Sequence, residues 1–125
     1  MSKPDKRPLI LFVDDEPQLR DMLSSVLTME GLPYETARDG QEAIDTLAKS
    51  PPKKRIMLLD LTMPVMDGAG VVRWVVEHPD VRAQTTIILM SANHNLRAAM
   101  DLVHDGELAK PFGVDTLLAL IEQFG

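Results

Sequence analysis

The sequence predicts an open, doubly wound α/β fold: a five-stranded parallel sheet with five helices. Short apolar runs bounded by turn residues alternate with stretches of helical period along the whole chain. The runs are continuously apolar, as strands buried on both faces must be. No internal repeat or Gly/Ser-rich linker interrupts the order, so right-handed crossovers can place all the strands in one sheet.

The first strand is expected at Leu9–Val13. Leu19, Met22, Leu23, Val26 and Leu27 then share one helical face, opened by Pro17 and stopped by Gly31. A weak strand around Tyr34–Thr36 follows. Asp39 with Glu42 has the form of a capping box, starting a helix that buries Ala43, Ile44 and Leu47. Pro51-Pro52 and the basic run Lys53-Lys54-Arg55 read as a solvated loop, and Ile56–Leu59 as the third strand. In Val71–Val76 the β-branched residues favour a strand while Val72, Val75 and Val76 fit a helix face, and the alternation assigns a helix. His78 before Pro79 marks a helix end. Thr86–Met90 forms the fourth strand, and Leu96, Ala99, Met100 and Val103 repeat the helical spacing. A short strand near Leu108 and a helix through Val114, Leu117, Leu118 and Ile121 complete the series.

At 125 residues the chain suits one domain, read as 8–125 behind an N-terminal tail of 1–7, and Met1 with its polar follow-on points to a natural start. The absence of cysteine excludes disulfides, thiolate metal sites and thiol catalysis, and suits a reducing cytoplasm. No apolar run approaches the roughly 20 residues needed to span a bilayer, and MSKPDKRP lacks a signal peptide's apolar centre. The net charge of −6 repels nucleic acid and anionic membranes, so neither is expected as a direct partner.

In such folds, ligands bind at the carboxyl ends of the strands. The first strand ends in Asp14-Asp15 and the third in Asp60, a carboxylate cluster that repels itself unless a cation compensates it. An all-oxygen site with room for water suits Mg²⁺, and no EF-hand-type spacing favours Ca²⁺. Ser91 after the fourth strand and Lys110 after the fifth add a hydroxyl and an ammonium to the same rim, where they could hold phosphoryl oxygens. A carboxylate could then act as nucleophile and form an aspartyl phosphate. Singly, each aspartate would pass for a helix cap or turn former and Ser91 for a loop hydroxyl; the combination points to chemistry. Asp67-Gly68 is a turn signal with no chemical role. His78, His94 and His104 lack metal spacing, although His94 lies near enough to Ser91 to line the pocket. The Met residues read as core filler and Trp74 as partly exposed.

The strings LILFVDDEP, LLDLTMPVMDG, ILMSA and AKPF, in this order, make the chain resemble the receiver domain of bacterial two-component response regulators from about Pro8 to Phe124. The resemblance implies a flavodoxin-like strand order 2-1-3-4-5 and Asp60 as phosphoacceptor. It further implies Mg²⁺ held by Asp15 and Asp60, with Asp14 acting largely through water and Thr62 offering its backbone carbonyl. Ser91 and Lys110 would each bond a phosphoryl oxygen, and Lys110–Pro111 would be cis. The implied partners are a histidine kinase or histidine phosphotransfer protein, and a downstream protein bound by the face of the helix near Asn95, the Leu108 strand and the last helix. Two departures stand out: Glu107 occupies the position of a common aromatic switch residue, and Val103-His104-Asp105-Gly106 replaces the usual Gly-Ala-Asp-Asp. Switching is therefore expected to run through Ser91 and the Ala92–Asn95 loop, with Glu107 facing solvent. A phosphorylation-independent interaction module is the alternative. A Mg²⁺-dependent phosphohydrolase is disfavoured, because Thr62 stands where a second acid/base carboxylate would be needed.

Overall fold

The computed structural model describes residues 7–49, 51, 53–61, 63, 66–92 and 102–125. The element order is β1 (Leu9–Val13), α1 (Pro17–Met29), β2 (Tyr34–Ala37), α2 (Gly40–Lys49), β3 (Arg55–Asp60), α3 (Gly68–Val76), α4 (Pro79–Gln84), β4 (Thr85–Ala92), β5 (Gly106–Lys110) and α5 (Val114–Phe124). All pairings are parallel, in the order β2-β1-β3-β4-β5. The doubly wound fold is thus present. The helix expected through Leu96, Ala99 and Met100 lies outside the described residues, and the short α4, too brief to show a period, was not foreseen.

Because successive strand residues point to opposite faces, the sheet divides the core in two. Leu11, Val13, Met57, Leu59, Ile87 and Leu89 pack with residues of α2, α3 and α4 on one face. Ile10, Phe12, Ile56, Leu58, Ile88 and Met90 pack with Leu23 and Leu27 of α1 and Leu117 and Ile121 of α5 on the other. The ambiguous valine run is helical, since Val71, Val72 and Val75 are needed to cover the first face. Trp74, partly buried, packs on the same cluster and stacks on His78 at 3.9 Å between ring centroids.

Local signals operate at several ends. Gly31 at φ 69° follows α1, with Gly31 N–H donating to the Thr28 carbonyl and Leu32 N–H to that of Leu27, a Schellman closure. Asp39 accepts from Glu42 N–H at 2.8 Å as the capping box requires, but the Glu42 carboxylate reaches back to Arg38 N–H. Three expectations are corrected. Arg55 belongs to β3 and is buried, its guanidinium donating to Glu35 at 3.0 Å across the sheet, so the basic run is not wholly solvated. Met22 and Val114 fit their helical faces by spacing, yet are exposed because the sheet covers a narrower stripe centred on Leu23, Leu27, Leu117 and Ile121. Val103 is exposed in irregular backbone before β5.

At the amino end of the sheet, Gly125 lies against Pro8, and Lys54 donates to the Gly125 carbonyl at 3.4 Å. No helix among the described residues is long and apolar enough to cross a membrane.

Candidate functional site

The register brings the chemistry to one rim. Val13 pairs with Leu59, Asp60 with Met90, and Ala92 with Lys110, so Asp14, Asp60, Ser91 and Lys110 all stand at the carboxyl ends of neighbouring parallel strands. Asp14, Asp60 and Ser91 are buried, and Asp15 is exposed. One carboxylate oxygen from each of Asp14, Asp15 and Asp60 lies within 4.8 Å of the others.

Lys110 bridges this cluster, its Nζ 2.6 Å from Asp14 Oδ2 and 3.4 Å from Asp60 Oδ2. Burial disfavours its charge, but the Asp14 hydrogen bond and the charges of Asp60 and Asp14 outweigh that cost and hold the ammonium above the ordinary lysine range. The Lys110–Pro111 peptide is cis, as expected. Asp14 Oδ1 accepts from Glu16 N–H at 3.0 Å, so both Asp14 oxygens are engaged. Among the described residues one ammonium does not balance three carboxylates, and the donor set is all oxygen with one exposed member that leaves room for water. This chemistry fits Mg²⁺.

Thr62 and His94 lie outside the described residues. Glu107 faces solvent, as expected, and its carboxylate lies 2.7 Å from His104 Nε2. Two contributors escaped sequence reasoning. Gly68 supports the loop after Asp60: its N–H donates to the Leu61 carbonyl, and a Cβ there would stand 2.7 Å from the Asp60 carbonyl oxygen. Asp67 beside it caps α3 by accepting from Gly70 N–H at 3.0 Å. The second is Arg20, whose Nη1 donates to the Asp14 carbonyl at 2.7 Å. A glycine opening a helix could have flagged the first; a side-chain bond to backbone leaves no periodic signal for the second.

The response regulator receiver domain model matches residues 10–122. The chain is 32% identical over 122 residues to the DNA-binding transcriptional regulator NtrC of Escherichia coli, covering 94% of this chain and 25% of that protein. It is 34% identical over 113 residues to the response regulator MprA of Mycolicibacterium vanbaalenii, covering 88% of this chain and 47% of that one. The chain therefore spans between a quarter and a half of these relatives. Among solved structures it resembles the response regulator TrrA from Thermotoga maritima in complex with Mg²⁺ and BeF, at a TM-score of 0.80 and 27% identity, covering 94% of this chain and 99% of that one.

Proposed function

Since the chain belongs to the response regulator receiver domain family, a family of two-component signalling modules rather than classical enzymes, we propose that it accepts a phosphoryl group on Asp60 from a histidine kinase or histidine phosphotransfer protein. The observation that carries this reading is the meeting of Asp14, Asp15, Asp60 and Lys110 at one rim. In the transfer, an Asp60 carboxylate oxygen forms the new bond to phosphorus while the P–N bond of a phosphohistidine breaks, its electron pair passing to that nitrogen, and because the donor's other ring nitrogen carries a proton the imidazole leaves neutral. Lys110 stands to pair with one phosphoryl oxygen and Ser91, next to the Asp60–Met90 pair on β4, to bond another. Asp14, Asp15 and Asp60, with the Thr62 carbonyl, would hold Mg²⁺, which when bound offsets the charge of the incoming anion. Leu19, Met22 and Phe112 line a groove beside Lys110, an apolar border for the donor protein on its way to Asp60.

The signal leaves by altered protein contact or onward phosphotransfer. Ser91 carries the switch into residues 92–95, of which Ala92 ends β4, and the face containing β5 and α5 meets the downstream protein, with Glu107 setting charge specificity at its rim. The work is cytoplasmic and involves no direct contact with nucleic acid.

The reading is tested by labelling with acetyl phosphate. Wild type takes up an acid-labile phosphoryl group only with Mg²⁺ present, and Asp60→Asn, which keeps the size of the side chain, takes up none while staying folded. Undiminished labelling in chelator, or a label that survives Asp60→Asn, overturns it.

A further inference from the structure

We infer that Arg20 is a positioning residue for the metal and phosphoacceptor site, an inference that rests on the proposed use of that site. Arg20 stands in the first turn of α1, where the positive end of the helix dipole disfavours a cation and where Asp and Glu are absent. A residue placed against a local rule calls for a compensating interaction, and Arg20 has one. Its Nη1 donates to the Asp14 carbonyl at 2.7 Å, while its backbone N–H donates to the Glu16 carbonyl at 3.1 Å. Glu16 N–H in turn bonds the Asp14 carboxylate at 3.0 Å.

These three bonds span the turn from Asp14 to Glu16 and fix the backbone on either side of Asp15, which is exposed. The turn supplies two of the three clustered carboxylates, and Arg20 is half-buried against it. Arg20 thus acts through Asp14: by holding the carbonyl, it sets where the Asp14 and Asp15 carboxylates stand relative to Asp60. A guanidinium bond to a carbonyl is charge-assisted, and a flexible side chain of similar length without donors cannot replace it.

The sign of the effect on metal affinity separates positioning from simple charge. As a nearby positive charge alone, Arg20 would repel Mg²⁺, and its removal would tighten binding. As a positioning residue, its removal weakens binding, by about tenfold or more where such outer partners have been removed from other metal sites. The experiment is calorimetric titration of the full chain with Mg²⁺ for wild type, Arg20→Met and Lys49→Met. Lys49 is exposed at the last turn of α2, so its loss changes the net charge equally but away from the rim.

The expected result is weaker Mg²⁺ binding in Arg20→Met, unchanged binding in Lys49→Met, and phosphoryl uptake by Arg20→Met that recovers when Mg²⁺ is raised to saturation. Binding as tight as or tighter than wild type in Arg20→Met overturns the inference, as does uptake that stays low at saturating Mg²⁺. Should Arg20→Met lose its fold, Arg20→Gln takes its place with the same expectations. Wild type that binds Mg²⁺ yet takes up no phosphoryl group defeats the phosphoacceptor reading instead, and the affinity comparison still decides the role of Arg20.

Discussion

At the scale of single residues, the site depends on groups that do no chemistry. A Cβ at Gly68 would meet the Asp60 carbonyl oxygen at 2.7 Å and the Leu61 Cα at 3.0 Å, and neither can yield without moving the backbone that carries Asp60, the proposed phosphoacceptor. Gly68→Ala should therefore cost about 1–3 kcal/mol of stability, the usual penalty of overpacking, and slow phosphoryl uptake on Asp60. Urea unfolding with a timed acetyl phosphate assay checks both, and a normal uptake rate would show that the loop adapts. The meeting of Asp14, Asp15, Asp60, Ser91 and Lys110 at one rim was legible in the sequence because strand ends place them without reference to distant detail. Arg20 and Gly68 were not, because their partners are main-chain atoms.

At the scale of elements, the entry to β5 is tied by ionisable groups. Asp105 takes both Arg82 nitrogens, at 3.1 and 3.0 Å, and accepts the Ile87 N–H at 2.8 Å, fastening α4 and β4 to the start of β5. Burial raises its pKa, but the Arg82 and Ile87 hydrogen bonds prevail and hold it below 3.8. Its contribution is present above that pH and is lost as pH falls through the lower folded value. His104 behaves oppositely. Burial opposes its charge, yet the Leu102 carbonyl and the Glu107 and Asp105 carboxylates hold its pKa above 6.5. Its stabilisation is complete below pH 6.5 and fades as pH rises through the raised folded value. The stability lost in Glu107→Gln should accordingly be larger below pH 6.5 than well above it, as urea unfolding at the two extremes will measure; a loss that grows with pH contradicts the pairing.

For the elements themselves, strands were legible from short apolar runs and helices from their period. The burial of Arg55 was not, because Glu35 lies in another strand, and α4 was not, because six residues do not establish a period.

At the scale of the whole molecule, one rim concentrates like charge that the fold must hold together. Among the described residues three carboxylates face one ammonium, a cluster the unfolded chain lacks, so on the proposed use of the site the folded state is the one that would hold Mg²⁺. Mg²⁺ at about a hundred times its dissociation constant should stabilise the fold by about 2.7 kcal/mol, and so raise the melting temperature by several degrees. Asp60→Asn should shrink that rise. Melts in Mg²⁺ and in chelator measure the difference, and coincident curves for wild type would remove the metal from the site. The strand order was legible as a consequence of the family resemblance. How far each helix face sinks into the core was not, since that width is set by the sheet beneath it.

Pro8 and Gly125 meet at the pole opposite the acid cluster, with Lys54 bonded to the Gly125 carbonyl between them. That proximity makes the domain a candidate for circular permutation, since a short bridge could join these positions without crossing the sheet. It also means that a fusion partner attached at either position departs from the same pole and leaves the rim that carries Asp60 uncovered. Any message passed to such a partner must then travel the length of the strands.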